Sequence, residues 1–269
     1  MTSGETHTLA TELRDFPEWH QGIHHYAVWA LPVEEPLWLE RIRYLQQYLA
    51  PLLHPGYARQ PHITLFACGL VDNLHFSPEQ ARNQVDALSA LNLSTLQLNA
   101  TGLSTFTTSP WLGVQSVDNR LSLIRRTLAS IITEDTPASH YRPHVTLGFY
   151  QQAWRLSDIH SRLATLVSRL PPLPPLPINR LDLCYYATKE IQGELTVKDS
   201  IELKDTAETD DLRETLDPLE AIKQMRKEQL RVCALKQQAD IDRLVAGAER
   251  AVNNENTVDN EQTINDGQN

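Results

Sequence analysis

The feature that most constrains this chain is a pentad written twice: Pro61-His62-Ile63-Thr64-Leu65 and, eighty-two residues later, Pro143-His144-Val145-Thr146-Leu147. Given one copy, chance would supply the second about once in a thousand chains of this composition. Ile63 and Val145 favour a pleated backbone, and residues two apart in a strand point to the same face. His62 and Thr64 therefore share a face, as do His144 and Thr146, and the fold must give two such strands equivalent surroundings.

The flanking sequence repeats in the same sense. A strand fits 24–32 and a helix 36–50, with Leu37, Ile42, Leu45 and Leu49 near helical spacing, before the first pentad strand. A second helix over 78–91 starts at Ser77 with Pro78 behind it, a good N-cap and first-turn pair, and an alternating strand follows at 94–103. A strand at 106–115 and a helix at 119–132, with Leu121, Ile124, Leu128 and Ile131 on one face, lead into the second pentad. Then come a helix at 157–170, the stop Pro-Pro-Leu-Pro-Pro-Leu-Pro at 171–177, and a closing pair of strands at 179–188 and 195–203. Strand, helix, strand, helix, strand thus occurs once around each pentad. The expected fold class is α/β (α+β): a bilobal, duplicated architecture of two antiparallel sheets flanking a central cleft, with helices outside. The proline run reads as a stiff connector, with a polyproline II ligand as the competing reading.

Charge and composition divide the chain. Residues 1–204 carry 16 Lys and Arg against 19 Asp and Glu, whereas residues 205–269 carry 8 against 15. The expected domains are an N-terminal arm at 1–23, the duplicated domain at 24–204, an acidic helical extension at 205–252 that starts from Asp217 and Pro218, and a disordered, asparagine-rich tail at 253–269. The near-neutral front argues against a long footprint on duplex nucleic acid, yet leaves room for a short oligonucleotide or a single phosphodiester. Cys68, Cys184 and Cys233 form neither a disulfide framework nor a C-x-x-C pair, so the expected compartment is the cytoplasm. No apolar run approaches the length of a membrane span, and the N-terminus lacks the pattern of a signal peptide. A partner protein or self-association is expected through the 218–251 helix.

Two facing imidazoles suit proton transfer. Histidine, with an ordinary pKa near 6.5, serves as base in one protonation state and as acid in the other, so a pair can deprotonate a nucleophile and protonate a leaving oxygen in one displacement. The threonine hydroxyls, on the same faces, suit the non-bridging oxygens of a phosphate. A lone histidine in a strand is most often structural, and it is the repeat that shifts the reading towards function. A metal site competes poorly. His140 and His144 are four apart but separated by Pro143 in a strand pattern, and there is no H-x-H, H-E-x-x-H or cysteine pair, so no metal and no cofactor are expected. Ser–His–Asp chemistry lacks its G-x-S-x-G elbow.

The segments PHITLFACG and RPHVTLGFY, at this separation and with these flanking strands, resemble the two-histidine phosphoesterase superfamily, and TGLSTFTTSPWLGVQ is similar to the stretch between the two motifs of its RNA 2′,3′-cyclic phosphodiesterase (2′-5′ RNA ligase) branch. The resemblance covers residues 24–204. It implies a phosphoric diester hydrolase in which His62 with Thr64 and His144 with Thr146 form the catalytic pairs. It further implies that one histidine activates water for in-line attack on a cyclic phosphate while the other protonates the departing ribose oxygen. His144 is taken as base and His62 as acid, a choice the near-identical half-sites leave open. The implied substrate is an RNA end or small nucleotide with a 2′,3′-cyclic phosphate or a 2′-5′ linkage. ADP-ribose cyclic phosphate, 2′-5′ oligoadenylate and cyclic oligonucleotide signals are the alternatives within the superfamily, and a non-catalytic nucleotide-binding or scaffold protein is the alternative outside it. Arg59 and Arg142, each two or three residues before a motif histidine, are candidates to reach phosphate, and Tyr26 and Tyr150, with Trp29, Phe66 and Tyr186, are candidates to stack on a base.

Overall fold

The computed structural model describes residues 6–134 and 140–204, so the expected extension at 205–252 and tail at 253–269 lie outside the described residues. In chain order the elements are α1 (Pro17–His20), β1 (His25–Pro32), α2 (Pro36–Leu49), β2 (His62–Leu70), α3 (Pro78–Ser89), β3 (Leu96–Thr105), β4 (Pro110–Ser116), α4 (Arg120–Ala129), β5 (His144–Thr146), α5 (Leu156–Val167), β6 (Leu176–Ile178), β7 (Arg180–Ala187) and β8 (Thr196–Glu202).

Local chemistry sets the helix starts. Ser77 accepts from the Gln80 amide at 3.2 Å while the Gln80 side chain accepts from the Ser77 amide at 2.8 Å, closing a capping box around Pro78. Glu35 caps α2 by accepting from Trp38 N–H at 2.9 Å. The buried stripe of α2 is Trp38, Ile42, Leu45 and Leu49, and Leu37, expected on that face, points to solvent. The 4-3-4 spacing that starts at Trp38 follows the 3.6-residue period more closely than one that starts at Leu37.

The strands form one antiparallel sheet of order β6-β3-β4-β5-β2-β1-β7-β8. The two sheets expected from sequence are its two four-stranded halves. They merge because β2 and β5 pair at Ile63 and Val145. Each half also borrows its outer strands from the other repeat: β3 crosses to flank β4, while β7 and β8 return to flank β1. One face packs against the helices in a core that runs under both halves and includes Ala27, Trp29, Leu31, Ile63, Leu65 and Val145. The alternate residues Val28 and Ala30 face the other way, where they meet Cys184 and Leu195. That second face bears the motif histidines.

Trp29 and Trp38 are fully buried, and their indole N–H groups donate to Gln84 Oε1 at 2.8 Å and to the Pro174 carbonyl at 2.9 Å. The Pro171 carbonyl accepts from Arg41 at 2.8 Å, and β6 begins inside the proline run and pairs with β3. The run therefore acts as a connector built into the domain. Residues 6–11, within the expected N-terminal arm, are tied to the second half-sheet: the amides of Thr8, Leu9 and Thr11 donate to the carbonyls of Trp154, Thr107 and Tyr150 at 2.7–2.9 Å. Among the described residues no helix is long and apolar enough to cross a membrane.

Candidate active site

Ile63 and Val145 are buried at 0% and 1% exposure, so strand alternation turns His62, Thr64, His144 and Thr146 to the opposite, open face. An antiparallel pairing centred on Ile63 and Val145 sets His62 abreast of Thr146 and Thr64 abreast of His144. The prolines before the histidines play matching parts: the Pro61 carbonyl accepts from Val33 N–H at 3.1 Å and the Pro143 carbonyl from Val114 N–H at 3.0 Å. Two half-sites thus meet at one seam in equivalent backbone settings.

The two imidazoles are held in the same way. His62 Nδ1 lies 2.7 Å from the Gln60 carbonyl and His144 Nδ1 lies 2.6 Å from the Arg142 carbonyl. A carbonyl only accepts, so in each neutral ring Nδ1 carries the proton and Nε2 keeps the lone pair. Thr64 Oγ1 lies 3.4 Å from His62 Nε2, on the open face. Burial pushes the His62 pKa down to about 4; the Gln60 carbonyl opposes this, while the positive charges of Arg59 and His144 add to it. Burial also lowers His144, against the Arg142 carbonyl. His62 is close enough to His144 to sense its charge, and in the free protein both rings are pushed towards the neutral form.

The surroundings differ. Beside His62 opens a pocket of about 310 Å³ lined by Trp19, Tyr26, Arg59, Thr64 and Tyr186 among others. Tyr26 lies between Trp19 and Tyr186, with ring centroids at 5.7 and 5.4 Å, and the Arg59 guanidinium sits 4.5 Å over Tyr186. Beside His144 stand Phe106, edge-on at 4.9 Å, and Trp111 at 5.7 Å. Gly113 pairs with His144 in the ladder, and a Cβ there would lie 2.8 Å from the Trp111 ring and 2.4 Å from Thr101 Oγ1. The glycine leaves the space that the Trp111 ring fills.

The sequence-based candidates fare unequally. Arg59 reaches the pocket, but its Nε and Nη2 donate to the Gly193 and Ile191 carbonyls at 3.2 and 2.7 Å, so much of its fork holds the β7–β8 loop. Arg142 is exposed, with Nη1 3.1 Å from the Tyr141 carbonyl. Tyr26 and Tyr186 lie in the pocket wall. Tyr150 does not: it is fully buried, its hydroxyl shares a 2.8 Å hydrogen bond with Thr105, and burial lifts its pKa to about 12. Trp29 and Phe66 are likewise core residues, because they fall on the helix-covered side of their strands. Sequence reasoning missed Trp19, Phe106 and Trp111. Trp111 had a usable signal, since it sits two residues before Gly113 in the strand that precedes the second pentad. Trp19 had none, because only tertiary folding brings α1 to the pocket. Among the described residues no three His, Cys, Asp or Glu side chains gather as a metal-ligand group.

Paired H-x-T strands meeting at the seam of a duplicated α+β sheet define the two-histidine phosphoesterase class. The model of the 2′-5′ RNA ligase superfamily matches residues 31–190, more than half of the chain. The protein belongs to that superfamily. Solved structures similar to it include E. coli LigT in apo form (13% identity, 68% of this chain and 100% of that chain, TM-score 0.44). E. coli LigT complexed with 3′-AMP gives 14% identity, 68% and 99% coverage and a TM-score of 0.46. TT0787 of Thermus thermophilus gives 13%, 67% and 99%, and 0.44. No match was found among curated protein sequences.

Proposed function

We propose that the protein is a metal-independent phosphodiesterase that hydrolyses 2′,3′-cyclic phosphate or 2′-5′ phosphodiester bonds in RNA ends or small nucleotides. The observation that carries this reading is the matched pair of imidazoles, each anchored through Nδ1 to the carbonyl two residues back and each left with Nε2 to titrate. One Nε2 takes a proton from water as the oxygen bonds to phosphorus. The opposite P–O bond breaks, and the other Nε2–H delivers its proton to the departing ribose oxygen. Water is consumed, a phosphomonoester and a free hydroxyl result, and the proton count balances. The Thr64 and Thr146 hydroxyls donate to the non-bridging oxygens as charge develops there.

The acid needs a proton that both environments push off in the free protein. An incoming phosphate supplies negative charge beside both rings and raises both pKa values, so substrate binding itself arms the acid. The sequence-based assignment takes His62 as the acid, a choice that the near-identical half-sites leave open. Burial, with the Arg59 charge adding to it, keeps His62 the more firmly neutral of the two in the free protein, which favours the reverse assignment, with His62 as base and His144 as acid. A substrate with a nitrophenolate leaving group separates the two, because a good leaving group needs no acid: only the acid's alanine variant regains turnover on it.

The primary test is the purified protein in excess EDTA, given 2′,3′-cyclic mononucleotides, a 2′-5′ dinucleotide and ADP-ribose cyclic phosphate, with products separated chromatographically. Turnover of a cyclic mononucleotide or of the 2′-5′ bond is expected. Turnover of ADP-ribose cyclic phosphate alone would move the substrate within the superfamily, and binding without turnover would make the protein a nucleotide-binding module.

A further inference from the structure

The seam between the half-sheets is thinly built. The strand β5 is three residues long, and its pairing with β2 rests on Ile63 and Val145. Immediately past the first motif the β1–β2 register skips: Ala30 pairs with Thr64 and Trp29 with Phe66, so Leu65 has no partner on β1. Past Ile63 no further β5 residue pairs with β2 among the described residues, so the β2 backbone at 64–67 needs other partners on the β5 side, beside the catalytic pair.

Three side chains meet that need. Arg125, from α4, donates through Nη1 to the Leu65 carbonyl. Glu134 accepts from the Ala67 amide at 3.0 Å. The Tyr141 hydroxyl donates to the Thr64 carbonyl at 3.1 Å. The three are also joined to one another. Arg125 Nη2 pairs with Glu134 Oε2, and the guanidinium lies 3.8 Å over the Tyr141 ring. Arg125 is 7% exposed, so its charge is buried, and among the described residues the carboxylate that pairs with it is Glu134. Tyr141 begins the Tyr141-Arg142-Pro143-His144 approach to the second motif, and the Arg142 carbonyl is the one that orients His144.

We propose that Arg125, Glu134 and Tyr141 form a side-chain clamp that takes the place of the missing ladder and fixes the spacing of the two H-x-T strands. They are positioning residues for both histidines, and none of them touches substrate. The clamp grips the first motif by its backbone at residues 64, 65 and 67 and the second by the residue that leads into it. A planar, bidentate, stacked arginine is needed because one group must bond a carbonyl, pair with a carboxylate and lie flat on a ring at once.

The kinetic test rests on the phosphodiesterase reading, so a second readout independent of turnover accompanies it. Tyr141→Phe removes the bond to Thr64 but keeps the ring beneath Arg125. Arg125→Met with Glu134→Met removes the buried pair together, leaving no lone charge, and serves if the single variant is uninformative. Tyr141→Phe should melt near the wild-type temperature, and the double variant somewhat lower, because it strips the Leu65 carbonyl and the Ala67 amide of their side-chain partners. The kcat should fall by about ten- to a hundred-fold, the usual cost of misplacing catalytic groups by an ångström, with KM nearly unchanged. In parallel, the ring ¹⁵N signals of His62 and His144 are followed with and without inorganic phosphate. In wild type both should report the Nδ1–H tautomer; in the variants both should lose that fixed tautomer. Variants that melt lower but keep kcat and both imidazole signatures would overturn the clamp, as would a change confined to His62. If the wild type turns over no phosphodiester, the reaction reading fails, while the imidazole signals still decide the clamp.

Discussion

The half-site around His62 and the half-site around His144 share a backbone and differ in nearly everything else. Both histidines follow a proline whose carbonyl is bonded across the ladder, and both donate Nδ1–H to the carbonyl two residues back. Around His62, however, stand a cation, a pocket and the Trp19–Tyr26–Tyr186 wall, whereas His144 is boxed by Phe106 and Trp111. The shared part dictates which nitrogen titrates. The differing part sets how readily each titrates and what sits beside it. A duplicated motif can thus serve an asymmetric reaction, with one proton taken and another given, without losing its backbone symmetry.

The harshest way to break this comparison is to remove one ring at a time. His62→Ala and His144→Ala should each lower turnover by about two to four orders of magnitude with little change in melting temperature, and the double variant should be scarcely worse than the worse single one. If either single variant keeps near-normal turnover, the half-sites are not partners in one displacement.

The pH dependence sharpens the comparison without any substitution. The profile of kcat/KM reports the free protein, in which the base must be neutral and the acid protonated. Both histidines are pushed below their ordinary range, His62 to about 4, so the protonated acid is scarce above that range. Activity should therefore fall as pH rises through an alkaline limb placed below about 6.5, the ordinary histidine value, with the acidic limb lower still. The profile of kcat should lie at higher pH, because bound phosphate raises both values. A kcat/KM profile still rising at about pH 7.5, a full unit above that ordinary value, would mean that the two environments do not hold the rings neutral.

The smallest effects belong to the walls. Tyr186→Ala and Trp111→Ala, on opposite sides of the seam, should each weaken binding of a base-bearing substrate by about 1–3 kcal/mol, read as a rise in KM. Trp111→Ala should also raise the His144 pKa, since it uncovers that ring, and leave His62 unchanged. Tyr150→Phe is the contrast: losing its bond to Thr105 should cost about 1 kcal/mol of stability and leave KM unchanged. Equal responses to all three would erase the distinction between wall and core.

Much of the architecture was legible because it is local. The start of α3 follows from Ser77, Pro78 and Gln80, and the buried face of α4 follows from Leu121, Ile124 and Leu128. The stripe of α2 was misread by one residue, since Leu37 and Trp38 are both apolar and only packing chooses between them. Aromatic strand residues were harder. Tyr26, Tyr150, Trp29 and Phe66 looked alike in sequence, yet one lines the open face and three lie in the core. A strand's period tells which residues share a face but not which face is covered.

The sequence by itself determined that two equivalent strands each carry a histidine and a threonine on one side, because strand alternation and β-propensity act within a few residues. It also determined the order of elements around them, through caps, periodicity and proline stops. Only the tertiary structure decided that the two repeats exchange outer strands, that α1 brings Trp19 to the pocket, and that Arg125, Glu134 and Tyr141 converge on the seam. These contacts join residues far apart in the chain, and nothing in local backbone preference specifies them. They arise when the halves pack, as the buried backbone of β2 takes the donors and acceptors that the surrounding fold presents.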